Sequence, residues 1–311
     1  MWNGIPGRSR MAAALLIAGI ALPIAAMAER EARAQSPPPR PAAESQPPAG
    51  TGPDAPPREA RVREAMALAG IDTQLEQVPE VALAQVEQRK ERIPADLALW
   101  LSENLAELFS AKRMRDAVAE EMARTYDAAR MAQVLDWLRS PLGRKMTELE
   151  IAAGGTAAQP RIDAYAETLN QSPPSPARLE QIGRMTRATE SVEAGIEAIT
   201  LLTLPMFYAI NALSAPESRA SAEAIAAAVD EIRQRLREPL AQQVVLRALY
   251  TYQAIGDGEM ERYVEFLESD AGRHLYAGYN LGLLGALFAA GQELGDRLAE
   301  WAERRGPKGQ A

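Results

Sequence analysis

The sequence predicts an all-α protein, a helical bundle built from two homologous multi-helix halves. Three observations carry that expectation. From about Arg58 onward, apolar residues recur at helical rather than alternating spacing. The composition is Ala-rich, with only 4 Trp and 4 Phe in 311 residues, as in closely packed helices. And the stretch Arg130–Met146 recurs, 129 residues later, as Glu259–Leu275.

Laid over each other without a gap, the two stretches keep Met131/Met260, Leu138/Leu267, Ser140/Ser269, Gly143/Gly272 and Arg144/Arg273. Trp137 faces Phe266, Asp136 faces Glu265, and Val134-Leu135 face Tyr263-Val264. Met131, Val134, Leu135 and Leu138 fall at i, i+3, i+4 and i+7, as do Met260, Tyr263, Val264 and Leu267, so each copy carries one apolar stripe that must be buried. Asp127 and Asp257 are candidate N-caps. Ser140 before Pro141 and Ser269 before Asp270 pair a capping hydroxyl with a residue suited to the first helical position. Each copy therefore reads as helix, tight corner, helix. Gly143 and Gly272 sit on the first turn after the corner, where a missing Cβ lets the second helix pass close to a neighbour.

Trp137-Leu-Arg-Ser-Pro-Leu-Gly-Arg-Lys145 resembles the signature of the bacterial domain of unknown function 2059 family, found in exported proteins. The second copy departs from it, with Asp270-Ala271 in place of Pro-Leu and His274 in place of Lys. The resemblance implies two tandem copies, the second divergent, in an all-helical exported domain; it brings no catalytic residues and no cofactor.

Residues 1–34 read as a signal peptide: Arg8 and Arg10 precede an apolar run from Met11 to Ala28, and Ala26-Met-Ala28 and Ala32-Arg-Ala34 are small-x-small cleavage sites. Removal after Ala28 or Ala34 is expected; an uncleaved inner-membrane anchor is the alternative, since 18 apolar residues approach a spanning length. Either cut leaves a net charge of −10, because the early one removes two arginines and the later one two further basic and two acidic residues. Such a chain is a poor partner for nucleic acid or an anionic membrane surface. Residues 35–58 hold 9 of the 22 prolines and read as a disordered linker.

The first helical repeat is placed at 59–170. A helix over Arg58–Leu68 ends at Gly70, and the next starts near Asp72 and must adjust at Pro79. Pro94–Phe109 carries Leu97, Trp100, Leu101, Leu105 and Leu108 on one side. Met114–Tyr126 precedes the first corner, Gly154-Gly155 interrupts, and Ile162–Leu169 resumes. Residues 171–176 are a linker of turn formers, and 177–303 form the second helical repeat. There, 198–216 and 274–292 carry no formal charge with His neutral. They read as central buried helices; the alternative is a membrane-associated protein using both. Residues 304–311 are expected to fray.

The chain has no Cys and one His, which removes disulfides, thiolate metal sites and a histidine metal cluster. Phosphate-cradling loops, nucleophile elbows and EF-hand loops are absent from the sequence, so no catalytic, cofactor-binding or metal residue is assigned. Glu120-Glu121 and Glu148/Glu150 read as solvated helix faces, and His274 as a first-turn surface residue. Arg144 and Arg273 read as clamps from each corner onto Asp136 or Glu265, with anchoring of a ligand as the alternative. The functional expectation is an exported envelope or periplasmic binding module for a protein, peptide or apolar small molecule, without stable membrane insertion after signal removal. The alternative is a hydrolase or lyase using Asp/Glu in the cleft between the halves.

Overall fold

A computed structural model of the protein describes residues 57–92, 95–213 and 219–305, and every regular element among them is helical. The leader, its cleavage sites at Ala28 and Ala34, most of the Pro-rich linker, Pro94 and residues 306–311 lie outside the described residues. In chain order the helices are α1 (Arg58–Leu68), α2 (Ile71–Glu76), α3 (Val78–Arg89), α4 (Ala95–Leu108), α5 (Ala111–Arg124), α6 (Ala128–Arg139), α7 (Pro141–Ala152) and α8 (Gln159–Thr168). After the 171–175 turn come α9 (Pro176–Ala188), α10 (Ser191–Leu213), α11 (Ala222–Thr251), α12 (Asp257–Glu268) and α13 (Asp270–Arg305).

Local chemistry accounts for most boundaries. Gly70 adopts φ +70 between α1 and α2, a left-handed turn that glycine takes without strain. Pro79 falls in the first turn of α3, where its missing N–H costs nothing, so the chain restarts a helix there instead of bending one. Ser175 caps α9 by accepting from the Arg178 N–H (3.1 Å), with Pro176 at the first helical position. Asp127 caps α6 through the Arg130 N–H (2.8 Å). Asp257 does not cap α12: Gly256 holds that position, and the Asp257 carboxylate instead accepts from Arg178 of α9 (2.7 Å and 3.0 Å).

Among the described residues three hydrophobic clusters form: a small one between α10 and α11 (Val192, Ile196, Leu240 and Val244), and two larger cores that each draw on both sides of the 171–176 turn. The larger joins Val62 and Met66 of α1, Met114 and Val118 of α5 and the whole stripe of α6 to Leu275, Tyr279, Leu283, Leu287 and Leu294 of α13. The smaller joins Ile182 and Met185 of α9, Ala248 and Tyr252 near the end of α11 and the stripe of α12 to Met146 of α7, with Leu142 and Leu149 packed on it. Each corner thus keeps its first helix in one core and sends its second helix into the other.

Helix α13 contains the 274–292 stretch and buries Leu283, Leu284 and Leu287 while Phe288 stays 46% exposed. It runs to Arg305, past the point where fraying is expected. Trp301 packs on Trp100 of α4 (5.7 Å between ring centroids), and Arg297 pairs with Glu107 at 2.8 Å, so tertiary contacts hold its last turns. The other uncharged stretch begins within α10, and its residues 214–216 are outside the described set. Among the described residues no helix is long and apolar enough to cross a membrane.

Candidate functional site

The two corners meet face to face, and the surface between them is the candidate site. Each is locked by one set of bonds. Ser140 donates its N–H to the Trp137 carbonyl (2.9 Å) and its hydroxyl accepts from the Gly143 N–H (2.9 Å). Ser269 does the same with Phe266 (3.0 Å) and Gly272 (3.1 Å). Pro141 and Asp270 occupy the first helical positions.

The glycines are demanded by the corner itself rather than by a neighbouring helix. A Cβ on Gly143 would stand 2.1 Å from the Trp137 carbonyl oxygen, and one on Gly272 2.1 Å from that of Phe266. With the corners this tight, Trp137 and Phe266 stack on each other, centroids 4.6 Å apart and planes within 8°. Tyr263 continues the stack beside Trp137 (6.1 Å, 7°).

Arg144 and Arg273 stay exposed and bond within their own corners, though not to Asp136 or Glu265. Arg144 donates to the Arg139 carbonyl, and Arg273 to Asp270 at 2.9 Å. Both partners lie closer along the chain, so a long flexible side chain reaches them at lower entropic cost. His274 is half-buried, not on the surface. Burial, then the Arg130 charge, lower its pKa below the ordinary 6.5, while Asp127 opposes them.

The sequence reading missed what lies behind the aromatic stack. Glu150 of α7 is not on a solvated face: its Oε1 accepts from the hydroxyls of Tyr252 (2.6 Å) and Tyr263 (2.5 Å), and the Tyr276 hydroxyl lies 3.2 Å from that of Tyr263. The residue keeps some exposure, but its carboxyl is turned in among the tyrosines. Burial pushes that carboxyl above the usual carboxylate range, and the two phenol donors only partly offset it. Burial, reinforced by Glu150, likewise drives Tyr252, Tyr263 and Tyr276 far above the ordinary phenol value, so all three act as neutral donors.

Glu150, Thr147, Trp137, Tyr263, Phe266 and Tyr276 line a cavity of about 20 Å³, room for about one water. One signal was available in the sequence: five of the eight tyrosines fall between Tyr250 and Tyr279. Among the described residues no group of three or more His, Cys, Asp or Glu could hold a metal ion.

Contacts around the corners recur at the 129-residue offset. Lys145 pairs with Glu259 (2.8 Å), and the counterpart positions, His274 and Arg130, lie within each other's field. Arg139 pairs with Glu64 of α1 (2.5 Å), and its counterpart Glu268 with Arg184 of α9 (2.6 Å), with the signs exchanged and the outer partners Glu64 and Arg184 120 rather than 129 residues apart. Arg247 donates to the Ala153 carbonyl (2.6 Å), and the counterparts Val118 and Gly282 approach so closely that a Cβ on Gly282 would be 2.6 Å from the Val118 Cα.

Comparison with curated proteins and with solved structures finds no match. Residues 112–172, which contain the first corner, match the model of a family described as uncharacterized protein conserved in bacteria (DUF2059).

Proposed function

We propose that this chain is an exported, non-catalytic helical protein of the envelope or periplasm, made by duplication of one module, that acts by binding a protein, peptide or apolar small molecule. One observation carries the non-catalytic part. The signature residues Trp137, Ser140, Gly143, Phe266, Ser269 and Gly272 are all consumed in shaping the corners and stacking them, which leaves the outer helix faces as the surface available to a partner. The duplication is supported by the contacts of Lys145–Glu259 and Arg247–Ala153, whose positions 129 residues away also meet. It is supported also by the left-handed residues that end α1 and α9, Gly70 at φ +70 and Glu190 at φ +48, which lie one residue ahead of the following helix in both halves. Export is supported by the n-region, apolar run and small-x-small sites within residues 1–34.

The hydrolase or lyase reading draws on Glu150, whose carboxyl is held toward its neutral form as a general acid requires. Among the residues lining the cavity it is the only carboxylate, and about 20 Å³ gives a substrate no room.

The test is fractionation of cells producing the tagged full-length protein, the intact mass of the product, and capture of its partners from envelope extract. A soluble exported product starting after Ala28 or Ala34, with a stoichiometric companion, is the expected result. Cytoplasmic retention would refute export, persistence of residues 1–34 in the membrane fraction would favour the anchored form, and recovery of the protein with no companion would refute the binding role.

A further inference from the structure

Glu150 brings a carboxyl into the junction between the corners without a cation to meet it. The charged groups on the surrounding helices are engaged elsewhere. On α7 itself, Lys145 bonds Glu259 of α12. On α11, Arg247 donates to the Ala153 carbonyl and to Gln159. On α9, Arg178 holds Asp257, and Arg184 holds Glu261 and Glu268. At the start of α13, His274 faces Arg130 and Asp127, and farther along it Tyr276 and Tyr279 present neutral phenols. Among the described residues only the Tyr252 and Tyr263 hydroxyls reach the carboxyl.

The molecule contains its own control for this arrangement. At the 129-residue offset, Glu150, Tyr252, Tyr263 and Tyr276 correspond to Tyr279, Ala123, Val134 and Thr147. That side of the junction packs around a fully buried Tyr279 and Val134, and none of the four corresponding positions carries a carboxyl. Forming the corner-to-corner contact therefore does not require a carboxyl. A carboxyl met only by neutral donors costs more to enclose charged than neutral.

We propose that Glu150, with Tyr252, Tyr263 and Tyr276, is a proton-linked latch between the two corners, closed when the carboxyl is protonated and loosened when it is ionised. Ionisation releases one proton to solvent and changes no other bond. The charge left behind draws water to the junction and weakens the hold of α7 on α12 and α13.

The sign follows from linkage. The folded-state pKa lies above the unfolded value of 4.5, so the folded state binds the proton more tightly. The stabilisation is complete below that value and is lost as pH rises through the window above it. In the full chain, urea unfolding measured from about pH 4 to pH 9 should show the Glu150-dependent part of the unfolding constant rising about tenfold per pH unit inside that window. Hydrogen exchange, corrected for its intrinsic pH dependence, should rise in α7 and α12 and not in α4. Glu150→Gln should flatten both responses. Tyr263→Phe removes a donor that favours the carboxylate, so it should move the window to higher pH. A native profile with no such component, or a Glu150→Gln profile unchanged from it, overturns the latch. If Glu150→Gln does not fold, a Tyr263→Phe window that stays in place or moves to lower pH overturns it instead.

Discussion

Replacing Gly143 by Ala tests the corner geometry most directly. In a helix this substitution ordinarily gains about 0.5–1 kcal/mol. At Gly143 the new methyl would stand 2.1 Å from the Trp137 carbonyl oxygen, 2.9 Å from its carbonyl carbon and 3.1 Å from the Leu138 Cα. All three are backbone atoms, so no rotamer change relieves the clash, and the corner must open by more than 1 Å to reach ordinary contact. Opening strains the bond from the Ser140 N–H to the Trp137 carbonyl and the bond from the Gly143 N–H to the Ser140 hydroxyl, each worth about 1 kcal/mol. Overpacking adds about 1–3 kcal/mol. Set against the intrinsic gain, the net loss is about 2–4 kcal/mol. Urea denaturation followed by far-ultraviolet circular dichroism reads it, with Gly183→Ala as the control. Gly183 lies within α9, where the nearest atom to a new Cβ is the mobile guanidinium end of Arg187 at 3.4 Å, and that variant should gain up to about 1 kcal/mol. A Gly143→Ala protein as stable as the native one, or more so, would refute the reasoning.

Three further outcomes follow from the packing. A double-mutant cycle on Trp137→Ala and Phe266→Ala should return a coupling of about 0.5–1.5 kcal/mol from their stacked rings, and additive losses would show that the corners do not lean on each other. Leu283→Ala, fully buried where α13 crosses the larger core, should cost about 2–5 kcal/mol in the same denaturation assay, whereas a loss near zero would place α13 outside that core. His274 holds its proton less tightly folded than unfolded, so its contribution is complete above about pH 6.5 and is lost as pH falls toward the lowered folded value; His274→Gln should remove that acid-side slope, and a slope that survives would assign it to another group.

The helices around the repeat were legible because their determinants are local. Met131, Val134, Leu135 and Leu138 share one face by spacing alone, and Ser140 and Ser269 can cap only the turn that follows them. The misreadings share a cause as well. Asp257 stands one residue too far along to cap, by the offset that aligns Asp127 with Gly256, and it is drawn off by Arg178, 79 positions away. Glu150 looked like a solvated residue because a carboxylate on a helix ordinarily faces water, yet Tyr252 and Tyr263, more than 100 residues on, decide its environment.

From sequence alone come the all-helical character, the repeated corner and its capping serines, since each depends on residues within a turn or two of one another; the glycines were placed by the sequence, but that the corner's own carbonyls demand them came from the structure. Tertiary structure alone decided that the corners exchange their second helices between the two larger cores, that Trp137 stacks on Phe266, and that a lone carboxyl is enclosed by tyrosines. Those outcomes depend on which apolar faces meet after the chain has crossed itself, and the period of a helix says that a face must be buried without saying against what.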